Sequence, residues 1–178
     1  MSVSHFTVGK PPSIRFNNQA IQNDTFKVGS SEMCGTRDQM EDALLVVENF
    51  IAGGHHLIGL FDGHGGAQCS NYCASNFARI FKNHLMVENN LGIDAALIES
   101  FNELMKDVNA RQFNDGTTAV VVLITPKEFY TAHVGDSKAI LVRKQECLAL
   151  TVDDKATEPS EIQRIVDLGG YVTKQRVN

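Results

Sequence analysis

The segment Phe61-Asp62-Gly63-His64-Gly65-Gly66 combines residue types that can do chemistry together. It ends an apolar run, so a strand would deliver the Asp62 carboxylate at its end. We expect the glycines to turn the backbone sharply, so that the Gly63 carbonyl and the Asp62 side chain reach one cation. An imidazole at His64, beside a metal-bound phosphate, can give a proton to a leaving group near neutral pH. The alternative is an ordinary turn followed by a helix entry.

A second group lies in the segment Gly35-Thr36-Arg37-Asp38-Gln39-Met40-Glu41-Asp42. Arg37 offers a planar fork that can clamp a phosphate. Glu41 and Asp42 are hard oxygen donors, which suit Mg or Mn and the waters around such ions. The alternative is an exposed, charged turn.

A third group is Val134-Gly135-Asp136-Ser137-Lys138, in which Asp136 either caps a hairpin or points at a cation. The stretch from Asp115 to Val120 is interpreted as structural, with small residues that start a core strand.

Composition and missing motifs exclude several other classes of function. The chain has 21 acidic and 16 basic residues, and no basic block that would follow a nucleic-acid backbone. A P-loop is excluded because GxxxxGK is absent, and an aspartyl-phosphate enzyme because no second Asp stands two residues after Asp62. No signal-peptide core or membrane-length apolar run is present. We therefore expect a cytoplasmic or nuclear protein without nucleic-acid or membrane partners.

The four cysteines are interpreted as reduced thiols, because no CxxC pair or dense framework is present. Cys69 and Cys73 are one helical turn apart and could give zinc two ligands, but no motif supplies the other two. We expect both to be buried structural cysteines on a helix.

Hydrophobic periodicity predicts the elements that must position these groups. Two apolar runs, 43–47 and 56–61, are separated by a turn and predict strand, turn and strand. Apolar residues recur at helical spacing from Tyr72 to Leu85 and from Ile93 to Val108, which predicts two amphipathic helices that cover a sheet.

The rest of the chain predicts a meander of short strands and one more helix. Strands are expected at 117–125, 129–134, 139–142 and 147–150, at spacings that favour antiparallel hairpins. A helix is expected over 158–168, with Thr157 as N-cap, Pro159 in the first turn and a Gly-Gly pair after its end, followed by a strand from Tyr171. This order predicts an α+β fold.

Taken together and in this order, the segments resemble the metal-dependent protein serine/threonine phosphatases, also called PPM-type or type-2C. The family patterns Arg-x-x-Met-Glu-Asp, Phe-Asp-Gly-His-Gly-Gly, Gly-Ser/Thr-Thr-Ala and Val-Gly-Asp-Ser are met at 37–42, 61–66, 116–119 and 134–137. Residues 150–170 match at similar spacing. We interpret 26–178 as the N-terminal part of such a catalytic domain, and 1–25 as an extension or a first irregular strand.

The resemblance implies an antiparallel β-sandwich flanked by helices, the αββα phosphatase fold, and a two-metal site. Two Mg or Mn ions would share the Asp62 carboxylate, and one would also take the Gly63 carbonyl. Glu41 and Asp42 would hold metal waters, and Asp136 matches a residue that helps to bind a third, weaker metal. A water between the two ions would attack phosphorus in line.

The resemblance also implies roles for two further side chains. Arg37 would hold the phosphate oxygens, and His64 would protonate the leaving seryl or threonyl oxygen of a phosphoprotein substrate. The alternative function is a non-catalytic pseudophosphatase module that holds a partner through its surface. The sequence keeps six residues for which a binding module has no physical need: Arg37, Glu41, Asp42, Asp62, Gly63 and His64. Their presence favours descent from an active enzyme.

The sequence departs from the family at several positions. Asp154, Ala156 and Lys138 stand where the family has His, Pro and Arg, and we expect these changes to be tolerated because none is a primary ligand. Residues 176–178 match the start of a family segment that normally continues to two further metal-binding Asp residues. We therefore expect a C-terminally truncated domain, with weak or partial metal binding and weak or no activity as a 178-residue chain.

Truncation of this kind also predicts self-association. Unpaired strand edges and an uncovered apolar face recruit another chain, most simply as a two-fold homodimer through exposed sheet edges.

Overall fold

The computed structural model describes residues 2–7, 26–88, 92–173 and 176–177. The strands are β1 (Ser2–Thr7), β2 (Ala43–Ile51), β3 (His55–Phe61), β4 (Gly63–His64), β5 (Gly116–Thr117), β6 (Ala119–Ile124), β7 (Glu128–Val134), β8 (Ile140–Arg143), β9 (Glu146–Ala149), β10 (Val172–Thr173) and β11 (Arg176–Val177). The helices are α1 (Gln68–Asn83), α2 (Ile93–Arg111) and α3 (Pro159–Asp167), with a π-helical turn (His84–Glu88) after α1.

Five antiparallel strands form the main sheet, in the order β1-β7-β6-β3-β2. Ala43 of β2 is opposite Phe61 of β3, and Leu60 of β3 is opposite Val120 of β6, so the carboxyl end of β3 lies between the starts of its two neighbours. The predicted strand, turn and strand are confirmed here. The predicted extension or first strand contains β1, which pairs with β7, while residues 8–25 lie outside the described part.

The two long helices cover one face of this sheet and supply its core. Phe77 of α1 is fully buried, with ring centroids 6.3 Å from Phe61, 6.0 Å from Phe81 and 5.1 Å from Phe101. The predicted helical periodicity is therefore confirmed, because the apolar stripes of α1 and α2 meet each other and the sheet.

The other face of the sheet carries exposed apolar side chains. Leu44 of β2 and Leu60 of β3 are paired across the strands and are 42% and 36% exposed. In the described residues, β1 and β2 form the edges of the sheet. Self-association through these edges stays a prediction.

Cys69 and Cys73 are buried and free, as predicted for structural thiols on a helix. A hydrogen bond between the two thiols lowers the pKa of Cys69 and raises that of Cys73, and burial adds to the increase at Cys73.

The helix α3 corrects one detail of the prediction. Its N-cap is Glu158 and not Thr157, because a proline at the first helical position requires an extended residue before it. Glu158 has φ −77° and ψ 130°, as this requirement demands. Beyond the helix, Gly169 adopts a positive φ of 84°, as expected for a glycine C-terminal stop.

The α+β class, with antiparallel sheets and flanking helices, is confirmed. In the part of the chain that the structure describes, no helix is long and apolar enough to cross a membrane.

Candidate active site

Asp62 lies at the carboxyl end of β3, where the main chain is held on both sides. Phe61, the last residue of β3, is fully buried. After Asp62, β4 pairs with β5, with Gly63 opposite Thr117. The Asp62 carbonyl accepts a hydrogen bond from the Thr118 amide at 2.9 Å. The backbone is therefore fixed, while the Asp62 carboxylate stays exposed to solvent.

Gly63 lets a second segment approach this strand end. It is buried, and a Cβ there would overlap the Glu41 carbonyl oxygen and lie 2.9 Å from the Ser70 hydroxyl. The Ser70 hydroxyl in turn donates a hydrogen bond to that same Glu41 carbonyl at 2.5 Å. The sequence predicted that glycine serves a sharp turn, but at Gly63 it serves close packing against the segment that ends in Asp42.

The sharp turn itself lies at Gly65 and Gly66, whose φ values are 74° and 145°. Asp115 packs against Gly66, where a Cβ would come within 2.6 Å of its Oδ2 atom. Asp115 accepts hydrogen bonds from the amides of Gln68 at 2.7 Å and Cys69 at 3.2 Å. It therefore caps the N-terminus of α1 from a distant part of the chain.

The sequence interpretation missed this capping role, although it took the stretch around Asp115 as structural. No local signal could have found it, because the capping carboxylate and the capped amides are 46 and 47 residues apart.

Arg37 lies in a turn that its own amide helps to close, by donating to the Cys34 carbonyl at 3.3 Å. Its guanidinium is 3.9 Å from the Glu41 carboxylate. The Arg37 side chain is 76% exposed and that of Glu41 is 17% exposed. The arginine is therefore loosely paired and free to contact a ligand.

Asp136 lies in the turn after β7, and the structure ties this turn to the Asp62 region. Gly135 has φ 87°, and a Cβ there would be 2.8 Å from Thr118 Cγ2. The hydroxyls of Thr118 and Ser137 share a hydrogen bond of 2.6 Å. The same residue Thr118 thus bonds to the Asp62 backbone and packs against the Asp136 turn.

The electrostatics of Asp62 report which charges surround it. Its pKa is raised above the ordinary value, first by partial burial and then by the carboxylates of Asp42 and Asp136. His64 and Arg37 act in the opposite direction and lower it. The charged groups of Asp42, Asp136, His64 and Arg37 are therefore close enough to act on Asp62.

His64 is exposed and lies against β5. A Cβ at Gly116 would come within 2.7 Å of the His64 Nε2 atom, so the glycine makes room for the imidazole. The structure thus accounts for one glycine of the Gly-Thr-Thr-Ala segment by the space that His64 needs.

Two of the departures from the family pattern, Lys138 and Asp154, have partners in this chain. Lys138 and Lys155 contact the Asp153 carboxylate at 3.1 Å and 2.9 Å. Hydrogen bonds from Lys155 and Lys138 lower the pKa of Asp153. Asp154 lies 3.6 Å from Nδ1 of the buried His133, and its amide donates to the Gly135 carbonyl at 3.0 Å.

The predicted metal-binding groups are all oxygens: the carboxylates of Glu41, Asp42, Asp62 and Asp136 and the carbonyl of Gly63. Hard oxygen donors suit Mg and Mn, whereas zinc sites use mainly Cys and His. A cation would also offset the repulsion from Asp42 and Asp136, which adds to partial burial in raising the pKa of Asp62. Within the described ranges, no three His, Cys, Asp or Glu side chains form a group that could hold an ion. The donor types fit Mg or Mn, and the assignment of ligands stays a prediction.

Residues 26–178 match the sequence profile of the family described as protein phosphatase 2C. The chain is 30% identical to Protein phosphatase 2C 37 of Arabidopsis thaliana, over 86% of this chain and 46% of the relative. It is also 30% identical to Protein phosphatase 2C homolog 1 of Saccharomyces cerevisiae, over 86% of this chain and 62% of the relative. The chain therefore spans about half the length of the curated relatives it matches.

Solved structures share the fold. A sex determining protein of C. elegans superposes with a TM-score of 0.68 at 19% identity, over 99% of this chain and 41% of the other. A serine-threonine phosphatase 2C from Toxoplasma gondii superposes with a TM-score of 0.65 at 21% identity, over 96% of this chain and 55% of the other. At such identities, the likeness supports the fold alone.

Proposed function

The chain belongs to the protein phosphatase 2C family, and we propose that it carries part of the active site of a Mg- or Mn-dependent hydrolase of phosphoserine and phosphothreonine in proteins. The proposed substrates are phosphoproteins of the cytoplasm or nucleus. The curated relatives are longer than this chain, so the activity of the 178-residue chain by itself is also part of the proposal.

The observation that carries the proposal is the set of contacts that brings the segments of Asp42 and Asp136 to the end of β3: Gly63 packs against the Glu41 carbonyl, and Thr118 bonds to the Asp62 backbone and packs against Gly135. Partial burial raises the pKa of Asp62 first, the carboxylates of Asp42 and Asp136 raise it further, and His64 and Arg37 lower it. Like charges held together destabilise the folded protein unless a cation joins them, and an arginine beside them supplies a contact for an anion. An anion bridged to carboxylates by divalent cations is the arrangement that phosphate-ester hydrolysis uses.

The metal ions would be held by Asp62 and the Gly63 carbonyl, with Glu41 and Asp42 on their waters and Asp136 toward a third, weaker ion. Ions bound there would lower the pKa of a water that attacks phosphorus. The chain's own contribution is positional: Ser70 fixes the Glu41 backbone, and Thr118 fixes the backbone of Asp62.

Two side chains would act on the phosphate ester itself. The exposed guanidinium of Arg37 is proposed to hold the phosphate oxygens, because its pairing with Glu41 at 3.9 Å is weak enough to exchange for a dianion. The exposed imidazole of His64 is proposed to give its proton to the departing seryl or threonyl oxygen. Gly116 leaves the space in which this ring lies.

The test is metal binding by the full 178-residue chain, measured by calorimetry and by thermal unfolding with Mn or Mg. We expect weak binding that raises the melting temperature, because a ligand of the native state stabilises it by mass action. Asp62→Asn should abolish this shift. Asp38→Asn is the matched control, since it removes an exposed carboxylate of the same charge from the Arg37 turn and should leave the shift in place.

Hydrolysis is measured in parallel with p-nitrophenyl phosphate. We expect slow turnover that depends on Mn and disappears in Asp62→Asn. A metal shift that survives Asp62→Asn would contradict the proposed site. A chain that binds partner proteins but neither metal nor phosphate would support the pseudophosphatase alternative.

A further inference from the structure

A cleft of about 540 Å³ is lined by residues that neighbour Arg37 and His64 in the chain. Its lining residues come from three segments: Gln39, Gly65, Gly66, Ala67, Gln68, Asn71, Asn114 and Asp115. Gln39 is two residues from Arg37, and Gly65 follows His64. Two of its lining segments therefore continue from the residues proposed to contact the phosphate ester, and its volume is within the range of about 300–1,000 Å³ typical of ligand sites.

The cleft is not suited to a second phosphate, although the N-terminus of α1 opens into it. The first amides of that helix, at Gln68 and Cys69, already donate to the Asp115 carboxylate. Asp115 itself lines the cleft. A further anion would meet this negative charge without gaining the helix amides, so electrostatics favour a neutral or basic occupant.

The remaining lining is rich in carboxamides. Gln39, Gln68, Asn71 and Asn114 each carry an acceptor and two donors. Asn71 uses one donor on the Ala67 carbonyl, at 2.7 Å. In the described part of the chain, the side-chain amides of Gln39, Gln68 and Asn114 make no hydrogen bond to other protein groups. Paired donors and acceptors of this kind match the alternating N–H and C=O groups of an extended peptide.

We propose that this cleft holds the polypeptide backbone that flanks the phosphorylated residue of the substrate, through Gln39, Gln68 and Asn114, and that Asp115 disfavours acidic side chains there. The proposal rests on the proposed function, because the phosphate must be held at Arg37 and Asp62 for the flanking backbone to enter the cleft. It assigns to this chain a selectivity for phosphopeptides over small phosphate esters.

The experiment measures binding without turnover, so that it does not depend on the activity of the chain. The ¹⁵N-labelled 178-residue chain is titrated in Mg with three probes and followed by NMR. The probes are phenylphosphonate, a neutral peptide carrying a phosphonate analogue of phosphothreonine, and the same peptide with glutamate on both sides of that residue. All three probes offer the same kind of phosphorus group, and only the peptides extend beyond it.

We expect all probes to shift the amides near Arg37 and Asp62, and only the peptides to shift Gly65 to Gln68 and Asn114. The double variant Gln68→Ala with Asn114→Ala should bind the neutral peptide about tenfold more weakly than the wild type, because two hydrogen bonds are lost. Its affinity for phenylphosphonate should stay within about twofold of the wild-type value. Asn102→Ala, which removes an exposed carboxamide from α2, is the matched control and should change neither. The glutamate-flanked peptide should bind the wild type several-fold more weakly than the neutral peptide.

The experiment distinguishes failure of the peptide subsite from failure of the proposed function. If phenylphosphonate binds at Arg37 and Asp62 but the double variant binds the neutral peptide like the wild type, the cleft is not a peptide subsite and the proposed function stands. If no probe shifts the residues around Asp62, the proposed function fails and the subsite fails with it.

Discussion

Phe61 and Asp62 are neighbours in the chain, but they belong to two regions that are stabilised by different interactions. Phe61 is fully buried in the helix-covered core, where its ring meets Phe77. Asp62 is exposed at the acidic edge, defined here as Asp42, Asp62 and Asp136, where the other two carboxylates repel that of Asp62. The core is stabilised by its own packing, whereas the acidic edge is held by backbone contacts that offset the repulsion of its side chains. Substitutions in the core should therefore lower stability, and those at the acidic edge should affect ligand binding.

The largest loss of stability is expected in the core, from Phe77→Ala. It removes a fully buried ring that contacts three other aromatic residues, and should lower the free energy of unfolding by about 3–5 kcal/mol. Urea unfolding followed by circular dichroism measures this. Met105→Ala, at a 55% exposed position of α2, should change stability by less than about 0.5 kcal/mol. Equal effects of the two variants would contradict the core assignment.

The next largest loss of stability is expected from Gly63→Ala, which tests the backbone contact between Gly63 and Glu41. Gly63→Ala places a methyl group against the Glu41 carbonyl, and we expect a loss of about 1–3 kcal/mol, because both partners are main chain and cannot easily move. Gly29→Ala is the matched control, since nothing lies within 4 Å of its added Cβ. It should be neutral or slightly stabilising. A Gly63 variant as stable as the control would show that the Glu41 contact is dispensable.

A smaller loss of stability is expected when the cap that Asp115 provides for α1 is removed. Asp115→Ala leaves the first amides of α1 without their carboxylate and should cost about 1 kcal/mol. Asp115→Asn keeps an acceptor oxygen and should lose less. Thermal unfolding of the two variants, with Asp38→Ala as an exposed-carboxylate control, measures the difference. If both Asp115 variants match wild type, the cap does not stabilise the helix.

The smallest change in stability is expected from Asp62→Asn, which should stabilise the protein at neutral pH, whereas the preceding substitutions destabilise it. The folded-state pKa of Asp62 is raised above its ordinary value of 3.8, so the folded protein binds more protons there and stability falls as pH rises through that raised pKa. In the presence of a chelator, Asp62→Asn should match wild type near pH 3. At pH 7 it should be more stable by less than about 1 kcal/mol, because the group is exposed and screened. A variant less stable than wild type at pH 7 would overturn this sign.

Much of the fold could be predicted because its elements follow from local periodicity. The apolar runs of β2 and β3 and the helical spacing of Phe77, Ile80 and Phe81 each depend on residues within a few positions, and the structure confirms these elements. The N-cap of α3 was predicted one residue too early, at Thr157. The preference of Thr for this position was outweighed by the backbone restriction that Pro159 imposes on Glu158.

The candidate site was only partly predictable, for a physical reason. The residue types at Arg37, Asp62 and His64 indicated phosphate chemistry, because their side-chain charges and donors are properties of the sequence itself. Their proximity depends on contacts between distant segments, such as the hydrogen bond from Thr118 to Asp62. The hydrogen bonds by which Asp115 caps α1 also join segments that are distant in the chain.

The sequence by itself determined most of the secondary structure, the α+β class and the residue types of the acidic edge, because these depend on side-chain chemistry and on spacing along the chain. Only the tertiary structure decided that Gly63 serves a close approach to Glu41, that Asp115 caps α1, and that carboxamides from three segments line one cleft. Such contacts join residues far apart in the chain, and their distances depend on how the sheet and helices pack together.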